Sequence, residues 1–163
     1  VEEPLLARAM LEEAGILFSQ EAGDVVLAGM GGELILRIVG ETPWLRDGAK
    51  RLVLQPMSSV AELRRGLAEL GFQVLQEQAV VDGGKVYSAF SAAYQGPPVE
   101  NGPLYPYLGK LIPGAPHVED YARKVLRGLE AQRQGALHQG DSQRAAQLEE
   151  LLSQIGQTYL PQA

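Results

Sequence analysis

Four residues at the end of an apolar run, Gly29-Met30-Gly31-Gly32, carry the most legible chemistry in this chain. Val25, Val26 and Leu27 precede them with no alternating polar face, the pattern of a strand buried on both sides. The three glycines remove Cβ atoms where the backbone must turn or let a ligand come close. Leu34, Ile35, Ile38 and Val39 then share one face of a predicted helix over Glu33 to Val39. In open α/β sheets such a strand-to-helix turn is where ligands sit. Metal chemistry has little to work with. There is no cysteine, which excludes a disulfide scaffold and a thiolate metal site. His117 and His138 lack metal-ligand spacing around them, so no metal is expected.

The elements that must position this turn follow from pattern and punctuation. Pro4 to Ala14 reads as a helix ended by Gly15, and Ile16-Leu17-Phe18 as a short strand. Leu52-Val53-Leu54 forms a second buried strand, closed by Pro56. Ser59-Val-Ala-Glu62 matches a capping box for a helix with Val60, Leu63, Leu67 and Leu70 on one face. Phe72 to Val81 and Val86 to Tyr94 read as two strands joined by the turn Asp82-Gly83-Gly84. The core is thus β-α-β-α followed by a β-hairpin.

Residues 96–116 hold six prolines and four glycines, so they read as a connector, although Tyr105, Tyr107, Leu108, Leu111 and Ile112 argue that part of it packs down. Beyond it, Val118, Ala122, Val125 and Leu129 recur at helical spacing, as do Ala145, Leu148, Leu152, Ile155 and Tyr159. This is an antiparallel helical hairpin with a coiled-coil-like seam. The expected organisation is a core over 1–95, the connector over 96–116 and the hairpin over 117–163. With 163 residues the chain can build one real core. The net charge of −6 argues mildly against a protein that lives only by phosphate contacts. No run is long enough to span a bilayer, so no membrane is expected. The lack of cysteine fits a reducing, cytoplasmic setting.

Several motifs stand in one order: Val26-Leu-Ala-Gly-Met-Gly-Gly-Glu-Leu-Ile35, Leu52-Val-Leu-Gln-Pro-Met57, Leu63-Arg64, Gly71-Phe72 and Gly84-Lys-Val-Tyr87, with a helical hairpin after them. This order resembles the bacterial tRNA (adenine-22-N1)-methyltransferase family over roughly residues 24–160. The resemblance implies an α/β fold, a partial Rossmann-like methyltransferase sheet with a terminal β-hairpin and a C-terminal helical coiled coil. It implies S-adenosyl-L-methionine as cofactor, tRNA as partner and N1 of an adenine as target. The family's Gly-rich loop of the Asp-Ile-Gly-Ser-Asp-His type is not found in this sequence, and its Tyr-Glu pair is Tyr87-Ser88 here. In such a sheet the Val25 strand should be central. Without strands beside it, its open edge calls for cover by the N-terminal piece, a second copy or another chain.

Within that resemblance Gly29, Met30, Gly31 and Gly32 would lie beside the transferred methyl group, with Met30 as an apolar wall. Gln55 and Pro56 end the next strand at the same rim, where Gln55 could bond an adenine edge or simply cap the following helix. Lys85 could meet a phosphate and Tyr87 could stack on a base, or they are a solvated lysine and a core tyrosine. Arg64-Arg65 and Lys50-Arg51 are further phosphate candidates or ordinary solvated charges. Arg123, Lys124 and Arg127 form the densest basic face, suited to gripping RNA. Two other readings stay open at this point. One is a methyltransferase-like remnant that binds RNA or a protein. The other is a nicotinamide-binding domain, which Leu34 in the third glycine position and Gln55-Pro56 at the next strand end argue against.

Overall fold

The computed structural model describes residues 23–98 and 100–162. The predicted helix over Pro4 to Ala14 and the strand at Ile16 to Phe18 lie outside them.

Four strands form one mixed sheet. They are β1 (Asp24–Met30), β2 (Arg51–Pro56), β3 (Phe72–Asp82) and β4 (Lys85–Tyr94), in the spatial order β1-β2-β4-β3. β1 and β2 run parallel, pairing Val25 with Leu52 and Leu27 with Leu54. β4 inserts antiparallel between β2 and β3. Gly83 and Gly84 turn β3 into β4, both with positive φ of 55° and 75°. Such φ values suit the tight turn that matches strand twist, and glycine adopts them without a Cβ clash. Among the described residues β1 pairs on one side only, with β2, and so stands at the sheet edge.

Helix α1 (Gly32–Gly40) follows β1, and α2 (Val60–Glu69) follows β2. Their apolar stripes, Ile35, Ile38, Val39, Leu63 and Leu67, close one core over Leu27, Leu52, Leu54, Val74 and Phe90. The sheet is covered unevenly. Val26 is 56% exposed and Val53 40%, so these strands alternate between a buried and an open face. The sequence reading of strands buried on both sides is corrected here. A run of valines and leucines reads the same whichever face is covered.

A short helix α3 (Tyr105–Leu108) breaks the Pro/Gly-rich stretch and buries Leu108. Helices α4 (Val118–His138) and α5 (Ser142–Tyr159) form the C-terminal hairpin. Asp141 caps α5, its carboxylate accepting from the Arg144 N–H at 2.9 Å. Tyr121, Ala122, Leu129, Leu148 and Ile155 make a second core with Leu108, Leu111 and Ala79. Ala79 faces Ser88 across the β-hairpin, and Glu77 faces Phe90. Ser88, Phe90 and Ala92 alternate onto one side of β4. Both cores therefore lie on the same sheet face, one under α1 and α2, the other under the helical hairpin. No helix of the described residues is long and apolar enough to cross a membrane.

Candidate functional site

The end of β1 is irregular, and the irregularity is built from the glycines. Pairing with β2 slips between Ala28 and Met30, leaving Gly29 as a bulge with φ of +72°. A bulge frees one residue from the ladder and re-aims the next. The freed Gly29 N–H donates to Gln55 Oε1 at 3.0 Å. Gln55 therefore does not cap α2; its amide oxygen braces the strand tip. Its Nε2 lies 3.4 Å from Met57 Sδ. Met30 pairs with Pro56, and the Met57 N–H donates to the Met30 carbonyl at 2.9 Å.

The other two glycines serve a different need. A Cβ on Gly32 would run into the carbonyl oxygens of Ser58 and Ser59, and one on Gly31 would press on Ser58 Oγ. The Gly32 N–H donates to the Ser58 carbonyl at 2.7 Å. Gly31 and Gly32 thus admit the chain's own 57–59 segment. At Gly29 a Cβ would meet nothing within 4 Å among the described residues. Of the three glycines, Gly29 is the one whose missing Cβ no described atom requires.

The capping box is corrected. Ser59 adopts a left-handed φ of +52° and makes no side-chain cap bond. Its hydroxyl lies 3.4 Å from Glu33 Oε1 instead. With the Ser58 and Ser59 carbonyls packed against Gly32, the turn into α2 is set by that contact rather than by local capping.

The remaining site residues gather at the far side of the 57–59 segment. A cleft of about 330 Å³ runs from Pro56 and Met57 to Tyr87 on β4 and Lys124 on α4. Lys124 Nζ donates to the Val86 carbonyl at 2.8 Å and lies 4.9 Å from the Tyr87 ring centroid. Lys85, Arg123, Lys124 and Arg127 line an adjoining concavity together with Asp120. Partial burial, then the charges of Lys85 and Arg127, pull the Lys124 ammonium below the ordinary lysine pKa. Arg123 is tied to Glu119 at 2.6 Å on the exposed face of α4. Lys50 and Arg51 fall at the opposite end of β2, where Lys50 lies 5.2 Å from the Trp44 ring centroid. They stand apart from this group.

Arg64 is the largest departure from the sequence reading. It is fully buried, paired with the buried carboxylate of Glu77. The guanidinium also donates to the carbonyls of Pro106 at 2.8 Å and Tyr107 at 3.0 Å, and to the Tyr121 hydroxyl at 3.2 Å. Glu77 accepts in addition from the Ser88 hydroxyl at 2.5 Å and the Lys110 N–H at 2.7 Å. Burial alone would lower the Arg64 pKa, but Tyr121 and Glu77 outweigh it and hold the guanidinium charged, above its ordinary value. The node lies between Phe90 of the first core and Tyr121 of the second, with both ring centroids within 6 Å of the guanidinium carbon, at 5.8 and 5.9 Å. It fixes the helical hairpin against the sheet. A sequence signal existed: Arg64 stands four residues after Val60 and three before Leu67, on the apolar stripe of α2.

Arg65, a phosphate candidate from the sequence, lines the same cleft together with Tyr107, read there only as a packing residue, and Arg144, which the sequence did not single out. Arg65 donates to the Tyr107 hydroxyl at 3.0 Å and lies 5.3 Å from that ring centroid. Two tyrosines, each with a cation across its ring, thus border one opening.

The sequence and the fold have known relatives. The profile of a methyltransferase domain family matches residues 11–90. The tRNA (adenine(22)-N(1))-methyltransferase of Bacillus subtilis (strain 168) is 32% identical over 98 residues, covering 55% of this chain and 41% of its own length. The chain thus carries a match to a methyltransferase domain and is similar to a bacterial tRNA (adenine-22-N1)-methyltransferase. The chain spans about two fifths of that relative's length in the match. The fold agrees. The crystal structure of the B. subtilis M1A22 tRNA methyltransferase TrmK superposes with a TM-score of 0.63 at 21% identity, covering 95% of this chain and 78% of that one. M. capricolum TrmK, solved with its cofactor product S-adenosyl-homocysteine, superposes with a TM-score of 0.65 at 12% identity, covering 91% and 66%. The sheet is that of Rossmann-like methyltransferases.

Proposed function

We propose that this chain carries the base-facing side of an S-adenosyl-L-methionine-dependent methyltransferase that acts on N1 of an adenine in tRNA. The observation that supports this reading most is the Gly29 bulge. It leaves a strand tip that no described residue crowds, braced by Gln55, beside a cleft rimmed by cations. The curated relative carries the same activity in its name.

The residues fit the group the family implies. Gly29 has no Cβ and no described residue within 4 Å of where one would stand, and Met30 offers an apolar wall, so the tip can border the methionine end of the cofactor. When bound, that cofactor supplies an electrophilic methyl on sulfur. The chain's own contribution is positional. Adenine N1 keeps its lone pair in the ring plane, so no strong general base is needed to make the nucleophile. Alignment of N1 with the methyl and exclusion of water are the expected sources of rate. N1 lies on the pairing edge, so the target base must be unpaired and swung out of its stack. Pro56 and Met57 floor the approach, and Lys85, Tyr87, Arg123, Lys124 and Arg127 would hold the RNA around it. The proposed setting is the cytoplasm, where tRNA is found.

Two measurements on the full chain test this. Calorimetry with S-adenosyl-L-methionine reports cofactor binding. Incubation with labelled cofactor and tRNA, followed by mapping of N1-methyladenosine as a primer-extension stop, reports transfer. Saturable binding with methylation at an unpaired adenine supports the proposal. RNA retention without cofactor binding or transfer would instead support a non-catalytic, RNA-binding remnant. Tight binding of a nicotinamide cofactor would overturn both.

A further inference from the structure

The cleft between α2 and α4 has a composition that methyl transfer itself does not require. Its walls present Tyr87 from β4 and Tyr107 from α3. Arg65, Lys124 and Arg144 approach from three different helices, and Glu62 is the acidic residue among its lining groups. The volume, about 330 Å³, falls at the lower end of small-ligand pockets, which run from about 300 to 1,000 Å³.

Each feature favours a nucleotide over a peptide or a lipid. Tyrosine rings give sequence-tolerant stacking surfaces for bases. Arginine side chains pair two N–H groups with phosphate oxygens. The cation excess is local: it sits in a chain whose net charge is −6, so this face is set apart from the rest of the molecule. The Lys124 ammonium lies below the ordinary lysine pKa through partial burial first and then the charges of Lys85 and Arg127, and an incoming phosphate would offset that second, repulsive part.

Position decides which nucleotide. The 57–59 segment is a shared wall. One side bonds the strand tip, through Met57 to Met30 and Ser58 to Gly32, and the other lines the cleft. A base presented to Gly29 and Met30 therefore has its chain neighbour at the cleft mouth. We infer that this cleft is a subsite for an unpaired nucleotide next to the methylated adenosine, its base stacked on Tyr107 or Tyr87 and its phosphate held by Arg65 and Arg144. The inference rests on the methyltransferase reading for the identity of the neighbouring base, while the cleft's fit to a nucleotide stands on its own residues.

The probe is a short unstructured RNA carrying 4-thiouridine, compared with the same sequence in a duplex. Binding to the full chain is followed across salt concentrations, and crosslinks are mapped by mass spectrometry. Arg65→Gln and Arg144→Gln should each reduce the slope of log affinity against log salt by about 0.7, the single-strand value per phosphate. Tyr107→Ala should weaken single-strand binding by about tenfold, and duplex binding much less. Arg46→Gln, at the opposite end of the sheet, serves as the charge-matched control and should change neither. Crosslinks should fall on the peptides that carry Tyr87 and Tyr107. Unchanged slopes for both arginine variants, with crosslinks elsewhere, would overturn the subsite. The two readings separate cleanly. Methyl transfer by the wild-type chain with unaltered RNA binding in the variants would remove the subsite and keep the enzyme. Altered slopes and cleft crosslinks without any transfer would keep the subsite and remove the enzyme.

Discussion

Arg64 and Arg65 are neighbours in sequence and have opposite fates. Arg64 turns inward, loses all contact with water and is matched by Glu77, two carbonyls and a tyrosine hydroxyl. Arg65 turns outward into a cleft, where it meets the exposed edge of Tyr107. One helical step of about 100° separates a charge that organises the fold from a charge available to a ligand. The buried node sets the position of α4, and α4 delivers Lys124 to the cleft. The structural region therefore determines the geometry of the functional one.

The comparison can be broken from the buried side first. Arg64→Ala leaves Glu77 buried and unpaired, which should destabilise the fold by about 3–5 kcal/mol, read as a lowered urea midpoint. The double change Arg64→Met with Glu77→Leu should recover most of that loss, because an apolar pair carries no unmatched charge. If the double variant is as unstable as Arg64→Ala, packing rather than charge matching holds the node.

A smaller effect is expected at the strand tip, where two glycines again differ. Gly32→Ala places a Cβ against the Ser58 and Ser59 carbonyls and should cost about 1–3 kcal/mol through overpacking. Gly29→Ala meets no atom of the described residues, so its expected cost is that of the left-handed backbone, about 1–2 kcal/mol. Thermal unfolding distinguishes them: Gly32→Ala should be equally damaging with and without ligand, whereas Gly29→Ala should also weaken cofactor binding.

Changes on the open side should barely move stability. Arg65→Gln is expected to shift it by less than about 0.5 kcal/mol while lowering RNA affinity. The smallest effect belongs to Glu130, whose carboxyl is pulled down to about 2, first by the Arg133 hydrogen bond at 2.8 Å and then by Gln134. A folded pKa below the unfolded one adds stability above the unfolded value and loses it as pH falls toward the folded value. Any contribution should thus be present at neutral pH and fade between about 4.5 and about 2. The ion pair lies at the surface, so Glu130→Gln should alter the acid limb of a stability–pH curve only slightly.

Local signals were readable and tertiary ones were not. Asp82-Gly83-Gly84 announced the β-hairpin because a turn with two positive φ values needs glycine. The three–four spacing from Ala145 to Tyr159 announced the last helix because burial on a helix has that period. Val26 and Val53 misled, since nothing in an apolar run says which face is covered. Ser59 misled because its capping geometry gave way to contact with Gly32, a residue far away in sequence. Arg64 was legible by position on its apolar stripe but not by type, because its partner Glu77 lies on another element. The cleft was half visible: Pro56, Tyr87 and Lys124 were singled out, whereas Tyr107 was hidden in a Pro/Gly-rich stretch that reads as a connector.

The chain contains three methionines, Met10, Met30 and Met57, so a methyl-labelled sample gives a spectrum that can be assigned by substitution. Titrating S-adenosyl-homocysteine into it tests the account most directly. A saturable shift of the Met30 methyl signal, abolished by Gly29→Val, is the expected result. Binding that leaves the Met30 signal unmoved, or no binding at saturating ligand, would contradict the placement of the methyl donor at this strand tip.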